Sequence, residues 1–132
     1  MTLDLEDDQM CYVCGSRNLQ GLRLVFEHPK KWQLLATVTF EKHHQGFRDI
    51  VHGGMVAMVL DEMMVNLMWK EGIRAVTAEL CVRLRKPIKI GEKVYLEGYL
   101  EKETKKAFFA VSTAKNQQGE TLASAKAICI RV

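Results

Sequence analysis

The spacing of apolar residues changes character along the chain, and each change marks an element. Leu22-Arg23-Leu24-Val25-Phe26-Glu27 alternates and predicts a strand, followed by a turn at His28-Pro29-Lys30-Lys31. Gln33 to Phe40 predicts a second strand, and Glu41 to Val51 is a polar loop. From Gly54 to about Lys70 the period becomes helical, with no proline and many strong helix formers. Apolar residues lie nearly all round this helix, so other elements must wrap it. Its methionines, Met55, Met58, Met63, Met64 and Met68, read as core filler. Alternation then returns. Over Ala75–Arg85, Val76, Ala78, Leu80, Val82 and Leu84 share one face, and Thr77, Glu79, Cys81, Arg83 and Arg85 share the other. Pro87 ends that strand and Lys89-Ile90-Gly91-Glu92 turns the chain. Three further strands, Val94–Glu103, Ala107–Lys115 and Thr121–Arg131, follow with short turns and predict an antiparallel meander. The expected architecture is α+β: one long buried helix wrapped by an antiparallel sheet of five to six strands.

Length and composition narrow the classes. The 132 residues fit a single domain over 1–132, with residues 1–18 as a polar, acidic lead-in. A formal charge of +3 without a basic block argues against nucleic acid as a partner. The acidic start is unlike a signal peptide, and the apolar run from Met55 to Trp69 is interrupted by Asp61, Glu62 and Asn66, so no membrane span is expected. A cytoplasmic protein follows as the expectation. Four cysteines are present, and Cys11 and Cys14 form one CxxC pair. No second pair completes a zinc set, and His28, His43 and His44 match no zinc spacing, so neither a metal nor a cofactor is expected. The favoured reading is a reduced pair in an N-terminal loop.

Chemistry concentrates where the loop meets the helix, at Ile50-Val51-His52-Gly53-Gly54 and the acids Asp61 and Glu62. Glycines at a helix start leave backbone N–H groups free to face a ligand oxygen, reinforced by the helix dipole. An acyl carbonyl held by Gly54 N–H, or by Gly53 N–H, is thereby polarised. The other reading is that both glycines only allow a tight turn. Asp61 lies seven residues beyond Gly54, about 10 Å along the axis. That is too far to act on a carbonyl held at its own helix start, so a second subunit must bring its Asp61 to the site.

These residues resemble a known family, the hotdog-fold acyl-CoA thioesterases, in the branch that includes the phenylacetate-degradation thioesterases. The resemblance rests on Gln45-Gly46-Phe47-Arg48-Asp49-Ile50-Val51, on His52-Gly53-Gly54 with Asp61 nine positions later, and on Thr77 to Pro87 with Gly91. It covers residues 19 to 131. Cys11-Tyr12-Val13-Cys14-Gly15 also resembles an N-terminal segment of some members. The resemblance implies a hotdog fold, hydrolysis of a fatty- or aryl-acyl-CoA without cofactor, and an obligate homodimer, often paired again into a homotetramer, with each site across the interface. It implies Asp61 as nucleophile or general base, in preference to Glu62. His52 is a candidate base, although a role in fixing the glycine turn is the stronger reading. Gln45, with Asp49 as its rival, is a candidate for polarising the carbonyl or orienting water. Thr77 matches a water-orienting hydroxyl, although plain alternation puts it off the core face. Asn66 reads as capping polar groups at the seam. Arg83, Arg85, Lys86 and Lys89 form a basic edge suited to the phosphates of CoA, or are ordinary solvated charge. Two other functions remain open: a non-catalytic acyl-CoA-binding sensor, and a hotdog dehydratase or hydratase. The second is disfavoured because no acid–histidine dyad is evident.

Overall fold

The computed structural model describes residues 3–132; Met1 and Thr2, the start of the expected lead-in, lie outside the described residues. Six strands form one antiparallel sheet: β1 (Glu27–Lys30), β2 (Gln33–Thr39), β3 (Ala75–Leu84), β4 (Lys93–Glu103), β5 (Ala107–Lys115) and β6 (Thr121–Arg131). A single α-helix, α1 (Gly53–Lys70), packs on it. The spatial order is β1-β2-β4-β5-β6-β3, so β4, β5 and β6 form the expected meander. The chain crosses the sheet between β3 and β4, which leaves β3 as a ten-residue edge strand paired only with β6.

The helix is buried as its composition requires. Leu60, Met63, Met64, Leu67 and Met68 are fully covered, together with Val56 and Val59. The sheet approaches closely at Gly98 of β4, where an added Cβ would lie 2.6 Å from the Met63 carbonyl oxygen. Ser112 of β5, itself buried, donates its hydroxyl to the Leu60 carbonyl at 2.9 Å. The helix ends in a Schellman turn. Gly72 adopts φ +76°, its N–H reaches the Trp69 carbonyl, and the Ile73 N–H reaches the Met68 carbonyl.

Two sequence expectations are corrected. Leu22 to Phe26 is irregular, and β1 begins at Glu27, across the stretch expected to turn. The turn falls instead at Lys31-Trp32, with Trp32 at φ +63°. That unusual backbone is anchored from outside the strand: the Glu71 carboxylate accepts the Trp32 N–H at 2.7 Å, and the Trp32 ring stacks on Phe108. Pro29 is tolerated because β1 is an edge strand. The lead-in carries no helix or strand among the described residues and folds back as a hook. Leu22 N–H donates to the Tyr12 carbonyl and Leu24 N–H to the Val13 carbonyl, and Val13 and Leu24 enter the core.

A third difference bears on function. Thr77 pairs with Cys129, but Glu79 pairs with Ile128, so β3 carries a bulge at Thr77–Ala78. The bulge shifts the alternation by one. Thr77 before it and Leu80, Val82 and Leu84 after it therefore face the same side, opposite the inward Cys129, Ala127, Ala125 and Ala123. The expectation that Thr77 lies off the core face fails for this reason.

Candidate active site

A cavity of about 610 Å³ opens at the start of α1. Its walls come from the loop before the helix (Gly46, Phe47, Ile50, Val51), from His52, Gly53 and Val56, and from the end of β3 with Arg85, Lys86, Pro87 and Ile88. Most of this lining is apolar. Loop and strand are held together by the Val51 N–H, which donates to the Ile88 carbonyl at 2.8 Å.

The helix start is arranged around His52. Its Nδ1 accepts the Gly54 N–H at 2.9 Å, so His52 caps the helix with its side chain. The Met55 and Val56 N–H groups turn back to the His52 carbonyl. Gly53 lines the cavity, and its N–H finds no acceptor among the described residues. Of the two donors weighed from the sequence, Gly53 N–H is the free one and Gly54 N–H is engaged. Gly53 also lies under β3: a Cβ there would meet the Leu84 side chain at 2.9 Å.

Asp61 sits two turns further along, outside the cavity wall. The Thr77 hydroxyl donates to its Oδ1 at 2.7 Å, a contact that exists because of the β3 bulge. Cys129, beside this pair, is buried, which with the nearby Asp61 charge pushes its thiol up to about 11 and keeps it neutral. Gly54, Met58, Asp61 and Val65 follow one another at spacings of four, three and four, so they share one helix stripe. This stripe is the flank that the sheet leaves partly uncovered, and it runs alongside β3.

Glu62 points elsewhere. Asn66, one turn on, donates its Nδ2 to Glu62 Oε1, and the Cys11 thiol lies 3.7 and 3.8 Å from the two carboxylate oxygens. Burial raises the proton affinity of this carboxyl above the ordinary value. Gln45 is also directed away from the cavity: its Oε1 accepts the Asp49 N–H at 3.0 Å and shapes the loop, where Asp49 stands at φ +61° and pairs with Lys42. Of the basic residues, Arg85 and Lys86 reach the cavity wall and Arg83 and Lys89 do not. Lys86 pairs with Glu120. The structure thus gathers His52, Gly53, Arg85 and Lys86 at the start of α1, and Asp61 of α1 with Thr77 of β3 at another place two turns further along.

Sequence reasoning missed the environment of Glu62. The Glu62 cluster is formed across 51 residues of sequence, so no local spacing signals it. His52 immediately before the helix did signal a cap, because a polar side chain at that position is where one is needed.

Comparison with known proteins bears on the family and the fold. The family model of the thioesterase superfamily matches residues 49–123, more than half of the chain, from the loop before the cavity to β6. Mouse acyl-coenzyme A thioesterase 13 is 26% identical over 113 residues, 83% of this chain and 79% of that protein. A crystal structure of a thioesterase superfamily protein superposes with a TM-score of 0.84 at 24% identity, over 89% of this chain; this chain spans 61% of that one. The PaaI protein of the phenylacetic acid degradation operon of E. coli superposes with a TM-score of 0.78 at 17% identity, covering 83% of this chain and 84% of that one. The fold is the hotdog fold, and the chain belongs to the thioesterase superfamily, a superfamily of thioester hydrolases.

Proposed function

We propose that this protein hydrolyses an acyl-CoA thioester, with a fatty or aryl acyl group, to the free acid and CoA. The observation that carries the reading is the Gly53 N–H, without an acceptor among the described residues, on the wall of a largely apolar cavity at a helix N-terminus. The thioester carbonyl accepts from Gly53 N–H, and the developing oxyanion gains from the helix dipole. Gly54 N–H joins it if the His52 ring turns away. Arg85 and Lys86 at the mouth hold the phosphates of CoA, with Arg83 and Lys89 further along the same edge. Asp61 acts as general base on water or as nucleophile, and Thr77 orients its carboxylate. With Asp61 as base, it takes a proton from the water that adds to the carbonyl carbon, the carbon–sulfur bond breaks, and that proton passes to the departing sulfur, so that the free acid and the CoA thiol are released.

The distance along α1 requires Asp61 from a second subunit, so the active unit is a homodimer, which pairs again into a homotetramer. Three features support this assembly. β3 has an unpaired edge, and an exposed edge ten residues long is an invitation to strand pairing. Leu80, Leu84 and Phe47 are left exposed along it and at the cavity mouth, Phe47 at 85%. The Gly54–Val65 stripe is the flank available to a second helix. A cytoplasmic location fits cysteines that form no disulfide among the described residues; among the same residues no helix is long and apolar enough to cross a membrane. The test is thiol release on short, medium, long and aromatic acyl-CoAs, with Asp61→Asn and Glu62→Gln compared. Asp61→Asn abolishes turnover and Glu62→Gln does not. Acyl-CoA binding without thiol release on any substrate would establish the sensor reading instead, and near-normal turnover in Asp61→Asn would remove Asp61 from the mechanism.

A further inference from the structure

The hook and the middle of α1 meet at a group of side chains that acyl-CoA hydrolysis does not use. One ligand atom each from Cys11, Cys14 and Glu62 lies within 4.8 Å of the others. Cys11 Sγ stands 3.7 and 3.8 Å from the two Glu62 oxygens. Asn66 contacts both Glu62 and, at 3.9 Å, Cys14 Sγ. All three ligating residues are half-buried. A tetrahedral zinc ion, with bonds of about 2.3 Å to sulfur and 2.0 Å to oxygen, sets its sulfur and oxygen ligands roughly 3.5 Å apart. The Cys11–Glu62 distances are within a few tenths of an ångström of that value, and the three ligand atoms, all within 4.8 Å of one another, can close on one ion.

The backbone is arranged for sulfur ligands as well. The Val13 N–H donates to Cys11 Sγ at 3.4 Å, a bond that supports a thiolate better than a thiol. The Gly15 N–H closes the CxxC turn on the Cys11 carbonyl at 2.9 Å. Only glycine fits at position 15, since a Cβ would stand 2.5 Å from the Cys11 nitrogen. The turn is fixed in space by Val13 in the core and by the Tyr12–Leu22 and Val13–Leu24 backbone bonds. The sequence offered a CxxC pair without a partner; the third group comes from the helix, as Glu62. No Lys, Arg or His side chain pairs with Glu62 among the described residues. Two thiols and a carboxyl crowded together without a cation are three acids that one dication relieves.

We propose that Cys11, Cys14 and Glu62 form a site for a thiophilic divalent cation of the zinc type, with a fourth position open to water beside Asn66. The two thiolates select against magnesium and calcium. On binding, both thiols lose their protons to solvent, and the site of two thiolates, one carboxylate and one dication carries a single negative charge. The ion staples the N-terminal hook to α1 at the residue next to Asp61. This inference is independent of the hydrolase reading, because it uses none of the residues placed at the cavity.

The test is a cobalt(II) titration of the reduced, chelator-stripped full chain. One equivalent per chain is expected, with a thiolate-to-cobalt charge-transfer band in the near ultraviolet and displacement by zinc. Cys11→Ser and Cys14→Ser lose the band. Glu62→Gln, which keeps the Asn66 contact and the fold, weakens cobalt binding at least about tenfold. The melting temperature of the stripped wild type rises with zinc concentration, and that of Glu62→Gln rises less. The proposal fails if the reduced wild type takes up no stoichiometric cobalt. It fails equally if Glu62→Gln binds as tightly as wild type, or if the pair only cycles between dithiol and disulfide.

Discussion

Gly53→Pro isolates a single N–H group. Gly53 is the first helical residue of α1, where proline is well accommodated because its N–H has no intrahelical partner. The preceding residue must be extended when proline follows, and His52 already is, at φ −57° and ψ +131°. A Cβ at this position meets the Leu84 methyl at 2.9 Å, the end of a flexible, half-exposed side chain. The substitution therefore deletes the donor on the cavity wall and leaves the helix in place. Loss of one preorganised oxyanion donor costs about 10²–10³ in kcat, or ~2.7–4 kcal/mol. Gly53→Ala, which adds the same Cβ but keeps the N–H, separates crowding from donor loss and should retain most activity. The assay is thiol release from a cleaved acyl-CoA, with helical circular dichroism and a melting curve for each variant. Mixing adds a second readout. Gly53→Pro and Asp61→Asn chains, reassembled at equal ratio, should regain roughly a quarter of wild-type activity, because half the dimers then hold one intact site of two. The reasoning is refuted if a well-folded Gly53→Pro loses less than about threefold, since the oxyanion then sits elsewhere. Mixed chains with no recovered activity would refute the assignment across subunits.

Thr77→Val removes the hydroxyl held 2.7 Å from Asp61 while keeping the branched shape. A hydrogen bond to a charged group contributes ~1.5–3 kcal/mol, so kcat should fall about 10–150-fold, with Thr77→Ser restoring most of it; equal rates for Val and Ser variants would count against orientation by Thr77. Arg85→Ala should raise KM for acyl-CoA about tenfold (~1.4 kcal/mol) with little change in kcat, and Arg83→Ala should do less because it lies off the cavity wall. For Glu62 the sign follows from its raised folded-state proton affinity. The stability it contributes is complete below the ordinary value of 4.5 and is lost as pH rises through the folded value. Metal-stripped Glu62→Gln should therefore gain on wild type at neutral pH, with the gain vanishing in acid, as read from denaturant midpoints at both pH values; a gap that widens toward acid would contradict the assigned burial.

The sequence carried most of the fold because its strong signals are local. The all-round apolar run from Gly54 to Lys70, the alternation of β5 and β6, and the turn residues Asn116 to Glu120 need no distant partner to be read, and those elements stand where they were expected. The failures share a different cause. β1 is placed by an edge pairing that tolerates Pro29 and by Glu71, which reaches Trp32 from the far end of α1. The bulge in β3 is set by register against β6, and one extra residue at Ala78 reverses every facing assignment on one side of it. Simple alternation placed Thr77 on the wrong face for that reason alone.

The same contrast separates the two neighbouring acids. Adjacent helical residues point about 100° apart, so Asp61 and Glu62 necessarily serve different surroundings. Sequence spacing fixed that much and left open which surroundings each has. Asp61 lies on the stripe beside the β3 edge, meets the Thr77 hydroxyl and stays accessible from the side where a second helix can pack. Glu62 turns toward the N-terminal hook, among two thiols and an amide. Moving the carboxylate by one position would exchange these environments, so Asp61 and Glu62 cannot substitute for one another despite their common chemistry. A chain with Asp61→Asn and Glu62 intact should therefore show no residual hydrolysis through Glu62, while Glu62→Gln should change metal uptake and leave the site beside Thr77 in place.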